Sequence, residues 1–403
     1  MPSDSPVNQH PHESGYRWVI MTLAATSFTM AFVSRFAWPP LVPAVMPIMG
    51  INMTQAMAYM TAFYIGYVIT QIPGGILADR FGPRLVLSGA LVLQGLGTFG
   101  LGLTENYQTG FFLRVACGLG AGCVYSSCIK AVATWFSPGQ RGLAIGVVMT
   151  SPTIGVALPN FLMPTIEAAV GWQGAFRGVG LALVVLAFAL LGLMKEIKTA
   201  DGPRKSFLVG LKFVIGNRNI ILISVAGFSI VWCQIGFGSI ANSYLVDALK
   251  ATKIEAGRIM VFYGLIGLLM PTLAGYLCGR LPGRKRTMII VSHVVLIAAF
   301  LLFGQMEQLM TAALAACLIG LLIAFTNPIS TVIIADNAGP EWAATACGVG
   351  NLIFQAGALL SPLALGLARD ASGHYDWTWR VLALGAIVGI IATALVKNKE
   401  TAA

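Results

Sequence analysis

Stretches of about twenty apolar residues recur twelve times along this chain, at 18–46, 56–78, 85–104, 110–136, 142–165 and 174–194, then at 219–248, 257–278, 287–304, 310–336, 344–367 and 379–396. Each is long enough to cross a bilayer as a helix. A helix can do so because it satisfies its backbone polar groups internally. Only 10% of the 403 residues are charged and 57% are hydrophobic, too little polar surface to cover a soluble core of this size. The expected fold is therefore an all-α membrane protein of twelve transmembrane helices in two six-helix bundles. The polar stretch 195–218 divides the runs six and six. This predicts an N-terminal tail at 1–17, bundles at 18–194 and 219–396, a central loop at 195–218 and a C-terminal tail at 397–403. The polar start, MPSDSPVNQHPHESGYR, lacks the short apolar core and cleavage site of a signal peptide, and is read as a cytoplasmic tail.

The net charge of +10 is a matter of topology. With the N-terminus inside, Arg17, Arg80, Arg84, Arg141, Lys195, Lys198, Arg204, Lys205, Lys212, Arg218, Arg280, Arg284, Lys285, Arg286, Lys397 and Lys399 fall on the inner side. The outer loops hold Lys250 and Lys253, and Arg177, Arg258, Arg369 and Arg380 sit at outer span edges. That bias puts both termini in the cytoplasm and removes any need for a nucleic-acid partner. The seven cysteines, from Cys117 to Cys347, lie in or beside apolar runs without a C-x-x-C pair, as buried packing residues do. His10 and His12 are in the tail, and His293 and His374 stand alone. With no paired His, paired Asp or Ser–Lys constellation in a span, the chain is not read as an enzyme, and no metal or cofactor is expected.

The halves echo each other. Gly75, Leu77, Arg80 and Arg84 of FYIGYVITQIPGGILADRFGPR match Gly275, Leu277, Arg280 and Arg284 of FYGLIGLLMPTLAGYLCGRLPGRKR at a constant offset. GWQGAFR at 171–177 has a counterpart in YDWTWR at 375–380. Repeats of this size point to a transporter. GGILADRFGPR resembles the loop signature between the second and third spans of the major facilitator superfamily, and RVACGLGAG at 114–122 resembles its fourth-span motif. The resemblance covers the full chain and implies a monomeric secondary transporter working by alternating access. For the loop motif it implies a gate. Asp79 is expected to meet a helix end or a cation across the interface between halves, with Arg80 and Arg84 pairing to acids or lipid phosphate. Gly279 replaces Asp79 in the second repeat, so the gate is expected to be asymmetric.

Three cations lie inside spans: Arg35, Arg114 and Lys130. A mid-membrane cation costs roughly 2.5–3.5 kcal/mol on insertion scales, and so faces a wet cavity or a partner. Arg35 stands in FVSRFAWPPLVP, where Pro39, Pro40, Pro43 and Pro47 bend or loosen the outer half of the first span. Freed carbonyls at that depth are tolerated beside a cavity or inside protein. The first six spans hold no mid-depth acid, so Arg35 is expected to bind an incoming anion. A first-span arginine resembles those of the superfamily's organic anion symporters and organophosphate antiporters. The antiporters add a seventh-span arginine where this chain has Gln234. One cation plus amides fits a carboxylate better than a phosphate dianion.

Tyr64, Tyr67 and Gln71 share a face of the second span, and Tyr67 matches a tyrosine that precedes the glutamine by four residues in the organic anion symporters. On the fourth span, Arg114 and Tyr125 lie on nearly one face, whereas Lys130 is about 160° around and is read either as a second anion ligand or as a snorkelling side chain. The symporters carry a glutamate where this chain has Ala121, which leaves the proton route open. In the second half Gln234, Asn242, Tyr263, Asn327, Asn351 and Gln355 are the polar in-span residues. Asn351 and Gln355, one turn apart, are expected to face Arg35, and Asp336 is expected to cap the tenth span or to serve coupling. The expected cargo is a small monocarboxylate with a proton as coupling ion, across a bacterial inner membrane. Anion exchange is one alternative. Another is efflux of a hydrophobic compound, since GVVMTSPTIGVALPN at 146–160 loosely echoes a fifth-span antiporter motif.

Overall fold

The computed structural model describes residues 15–197 and 207–397. Residues 1–14 of the expected tail (with His10 and His12), 198–206 of the central loop (with Lys198, Arg204 and Lys205) and 398–403 (with Lys399) lie outside the described residues. Every element among the described residues is helical. We number the spans α1 Tyr16–Met49, α2 Met53–Phe81, α3 Pro83–Leu101, α4 Tyr107–Trp135, α5 139–170, α6 172–193, α7 Arg218–Asp247, α8 Lys253–Arg280, α9 Lys285–Phe303, α10 Leu309–Gly339, α11 Glu341–Ser372 and α12 Asp376–Ala394.

Capping fixes several starts. Asn52 and Gln55 exchange side-chain and backbone bonds at 2.8 and 3.0 Å to open α2, and Thr252 with Glu255 does the same for α8. Asn106 and Asn217 cap α4 and α7. Two connections use a single glycine in place of a loop. Gly171 (φ 74°, ψ 166°) joins α5 to α6, and Gly339 (φ 71°, ψ 169°) joins α10 to α11. Only a residue without Cβ takes that conformation readily.

The prolines of the first span loosen it, as expected, and one element inside the expected central loop was not foreseen. The outer part of α1 is not one bent helix. It stops at Phe36, passes through the 3-10 turn Pro39–Leu41 and resumes over Val42–Met49. Residues Phe207–Gly216, inside the expected central loop, form a helix. Apart from Lys212 its residues are apolar, but ten are too few to cross a bilayer, so run length alone hid them.

Within the first half, α2 packs closely on α4. A Cβ at Gly66 would collide with the Val115 carbonyl, and one at Gly118 with the Phe63 carbonyl. Small residues let the two backbones meet. The described chain begins and finishes at one end of the bundle; at the far end the halves are tied together. Asn242 Nδ2 of α7 donates to Asn160 Oδ1 of α5 at 2.9 Å. Lys253 of α8 pairs with Glu167 of α5 at 2.7 Å. Asp370 of α11 accepts from the backbone nitrogens of Met53 and Thr54 at 3.3 and 2.7 Å, and from the Thr54 hydroxyl at 2.6 Å. These bonds cap α2 from the opposite half and close the far end.

Candidate functional site

Between the halves lies a cavity of about 240 Å³, just below the usual range for small-molecule sites. The first half contributes Phe32, Arg35 and Phe36 of α1, Tyr64 of α2, and Thr153 with Val156 of α5. The second half contributes Gln234 of α7, Tyr263 of α8, Asn327 of α10, and Asn351, Phe354 and Gln355 of α11. Gly238, Gly264, Gly267 and Gly320 keep the wall low between them.

Arg35 is the cation of this lining and is only 4% exposed. Four rings surround its guanidinium carbon: Phe32 at 4.4 Å, Tyr67 at 4.6 Å, Phe63 at 5.0 Å and Tyr64 at 5.4 Å. Ring faces stabilise a buried cation without using up its N–H donors. No carboxylate among the described residues lies within 4.0 Å of it, Arg35 Nε has no hydrogen-bond partner, and neither does the Tyr64 hydroxyl. A buried fork of donors beside a free hydroxyl has the chemistry to accept a planar oxyanion.

The second cation, Arg114, is 1% exposed and does different work. Its Nε donates to the Tyr59 carbonyl at 3.2 Å, Nη1 to the Ser34 carbonyl at 3.3 Å, and Nη2 to the Arg35 carbonyl and to Met60 Sδ at 3.3 Å each. Pro39 lacks the N–H that would reach the carbonyl of Arg35 four residues back. Arg114 supplies the missing donor and pins the broken part of α1 to α2 and α4. It was expected to serve coupling; in this structure its donors meet main-chain carbonyls and Met60 Sδ.

The structure brings Arg35, Tyr64, Gln234, Asn351 and Gln355 to one cavity wall, with Tyr67 behind Arg35. Four other residues expected to bind, gate or couple stand away from the cavity in this structure. Lys130, read either as an anion ligand or as a snorkelling side chain, pairs with Asp79 at 3.1 Å and donates to the Ala78 carbonyl at 2.9 Å. The turn of α4 that separates it from Arg114 aims it at the end of α2. In this structure, closed at the far end, Asp79 accordingly meets a cation of its own half. Tyr125 is 42% exposed, packs on Phe28 at 5.8 Å and is absent from the cavity wall. Asp336 does not cap a helix end, because α10 runs on to Gly339; it pairs with Lys285 at 2.7 Å. Of the motif arginines, Arg84 donates to the Leu191 carbonyl of α6 and Arg80 lies exposed over the Phe81 ring.

Sequence reasoning missed Phe32, Phe36, Thr153 and Phe354. Phe32 carried a readable signal, an aromatic ring one turn before a buried arginine on the same helix face. Phe36 follows one turn after Phe32, and Thr153 and Phe354 enter the wall only through the crossing of α5 and α11 with α1.

A sequence profile described as the Major Facilitator Superfamily matches residues 23–362. Among curated relatives, a probable sulfoacetate transporter of Cupriavidus necator is 26% identical, over 94% of this chain and 93% of its own. The hexuronate transporter of Bacillus subtilis is 24% identical over 86% of each chain. A probable nitrate transporter of Staphylococcus epidermidis is 23% identical, over 95% of this chain and 97% of its own. Among solved structures, a bacterial homologue of the human lysosomal transporter Spinster, inward-facing and occupied, superimposes with a TM-score of 0.83 at 15% identity, over 94% of this chain and 96% of that one.

Proposed function

The chain belongs to the Major Facilitator Superfamily, and from that premise we propose that it carries a small organic anion, a monocarboxylate, across a bacterial inner membrane by alternating access. The observation that carries this reading is Arg35, an unpaired guanidinium walled by four rings on the cavity between the halves. Tyr64, Gln234, Asn351 and Gln355 stand around the cavity as hydrogen-bonding partners for the rest of the cargo. Three relatives are named for anionic substrates, which agrees in charge. The Lys and Arg distribution supports both termini in the cytoplasm. The protein acts as a monomer and carries its cargo chemically unchanged, without a cofactor.

Entry of an anion against a negative-inside potential needs a compensating charge. Proton symport supplies it. Exchange for a second anion is the other reading, favoured by a cavity wall without carboxylate or histidine among the described residues.

Purified full-length protein in liposomes tests both. Radiolabelled lactate-like acids should enter under an imposed pH gradient, and Arg35→Ala should abolish entry. Uptake driven solely by a preloaded anion would replace symport by exchange. Wild-type uptake by Arg35→Ala would end the anion-site reading and favour efflux of an apolar compound.

A further inference from the structure

At the termini end, a second pocket of about 610 Å³ opens where three segments of chain meet. Lys212 comes from the helix Phe207–Gly216, Arg218 from the first turn of α7, and Lys397 from just beyond α12. None of the three has a carboxylate within 4.0 Å among the described residues. The segments are pinned together. Asn219 of α7 donates to the Lys397 carbonyl at 2.9 Å and accepts from the Lys397 nitrogen at 3.1 Å. Phe213 stacks on Trp342 of α11 with centroids 6.0 Å apart. The start of α7 is already capped by Asn217, so the side-chain cations, and not the helix end, give the pocket its charge.

A second observation lies on the same two helices. Farther along the α7–α12 seam is a groove of about 300 Å³, lined by Phe228, Trp232, Val381, Leu384, Gly385 and Val388. At a helical rise of about 1.5 Å per residue, Phe228 is about 15 Å below Arg218. Beside the basic pocket, Ile215 and Phe213 are exposed, at 62% and 37%. A cationic cup at a membrane surface above an apolar groove has the shape of a lipid: a phosphate at the top and an acyl chain along the helices.

We propose that the α7–α12 seam is a binding site for an anionic phospholipid, with Lys212, Arg218 and Lys397 holding the headgroup phosphate and the Trp232–Val388 groove holding an acyl chain. The site is separate from the cavity of Arg35 and shares no residue with it.

The test uses full-length protein in neutral detergent and follows thermal unfolding. Saturating phosphatidylglycerol should raise the wild-type midpoint by about 5 °C. The triple variant Lys212→Gln, Arg218→Gln, Lys397→Gln should lose that rise, and Val388→Trp, which fills the groove, should lose at least half of it. Inorganic phosphate and phosphatidylcholine should give under a third of the effect. Native mass spectrometry should find one fewer retained phosphatidylglycerol on the triple variant. If the triple variant does not fold, Arg218→Gln and Lys397→Gln singly carry the test, each losing about half of the rise. Undiminished stabilisation of these variants by phosphatidylglycerol overturns the proposal. So does a full effect from inorganic phosphate that ignores Val388→Trp, which would mark a site for a soluble phosphate.

Discussion

Arg114 donates from Nη2 to the backbone carbonyl of Arg35 at 3.3 Å, so the two buried arginines of the first half are joined through the main chain. Their surroundings differ in kind. Arg114 is saturated with carbonyl and sulfur acceptors, whereas Arg35 has ring faces and no acceptor for its Nε. One arginine holds the scaffold and the other is held ready.

Stability and binding should therefore separate between them. Arg114→Leu removes its bonds to three main-chain carbonyls, among them that of Arg35, which Pro39 cannot serve, and is expected to destabilise the protein by on the order of 3 kcal/mol. Arg35→Ala removes a charge with no acid partner, and should leave the unfolding midpoint unchanged or raised while anion binding is lost. Thermal unfolding and substrate binding, measured on both variants, check this. Equal destabilisation by the two would refute the division.

Lys130 and Asp79 should behave as one unit. Lys130→Gln and Asp79→Asn are expected to change transport rate by similar factors, and the double variant should be no worse than either single one, with a coupling energy of about 0.5–1 kcal/mol for this partly exposed pair. The apparent KM for the anion should move less than twofold. A KM rise confined to Lys130→Gln would restore it as an anion ligand.

Weakening the far end should shift the balance between open and closed forms. Asp370→Ala together with Lys253→Gln removes the charge-assisted hydrogen bonds of Asp370 and the Lys253–Glu167 pair, together worth roughly 1.4 kcal/mol, or about tenfold in population. A cysteine placed at Ala157, buried beside the cavity, in a cysteine-free background should then react about ten times faster with an impermeant maleimide from the far side. An unchanged rate would mean that these contacts do not bear on closure.

Glycines should sort by what surrounds them. Gly118→Val drives a side chain into the Phe63 carbonyl and should cost monodispersity on size-exclusion chromatography. Gly192→Ala meets nothing within 4 Å and should be neutral or stabilising by roughly 0.5–1 kcal/mol. The reverse order would show that α2 and α4 are not in close contact.

The spans were legible because run length and charge placement are local properties. Phe207–Gly216 was not, because a ten-residue, largely apolar run satisfies no length criterion and its stacking on Trp342 is remote in sequence. Arg35 was legible as a buried cation without an acid partner, from one cost argument and the absence of nearby acids. The role of Arg114 was half legible. Pro39 announces an orphan carbonyl at Arg35, but the donor that satisfies it is 79 residues away. Lys130 was placed on another face from Arg114 by helical angle, yet an angle does not name a partner. That needed the packing of α2 on α4, which brings Asp79 within 3.1 Å.

The cap that Asp370 places on α2 has a consequence for how such a protein diverges. Two of its three bonds end on main-chain nitrogens, which every residue but proline possesses. Most substitutions at positions 53 and 54 leave those donors in place. The strength of this tie is thus adjustable almost entirely from one codon, on the other half of the molecule, and the helix it holds can drift in sequence without letting go.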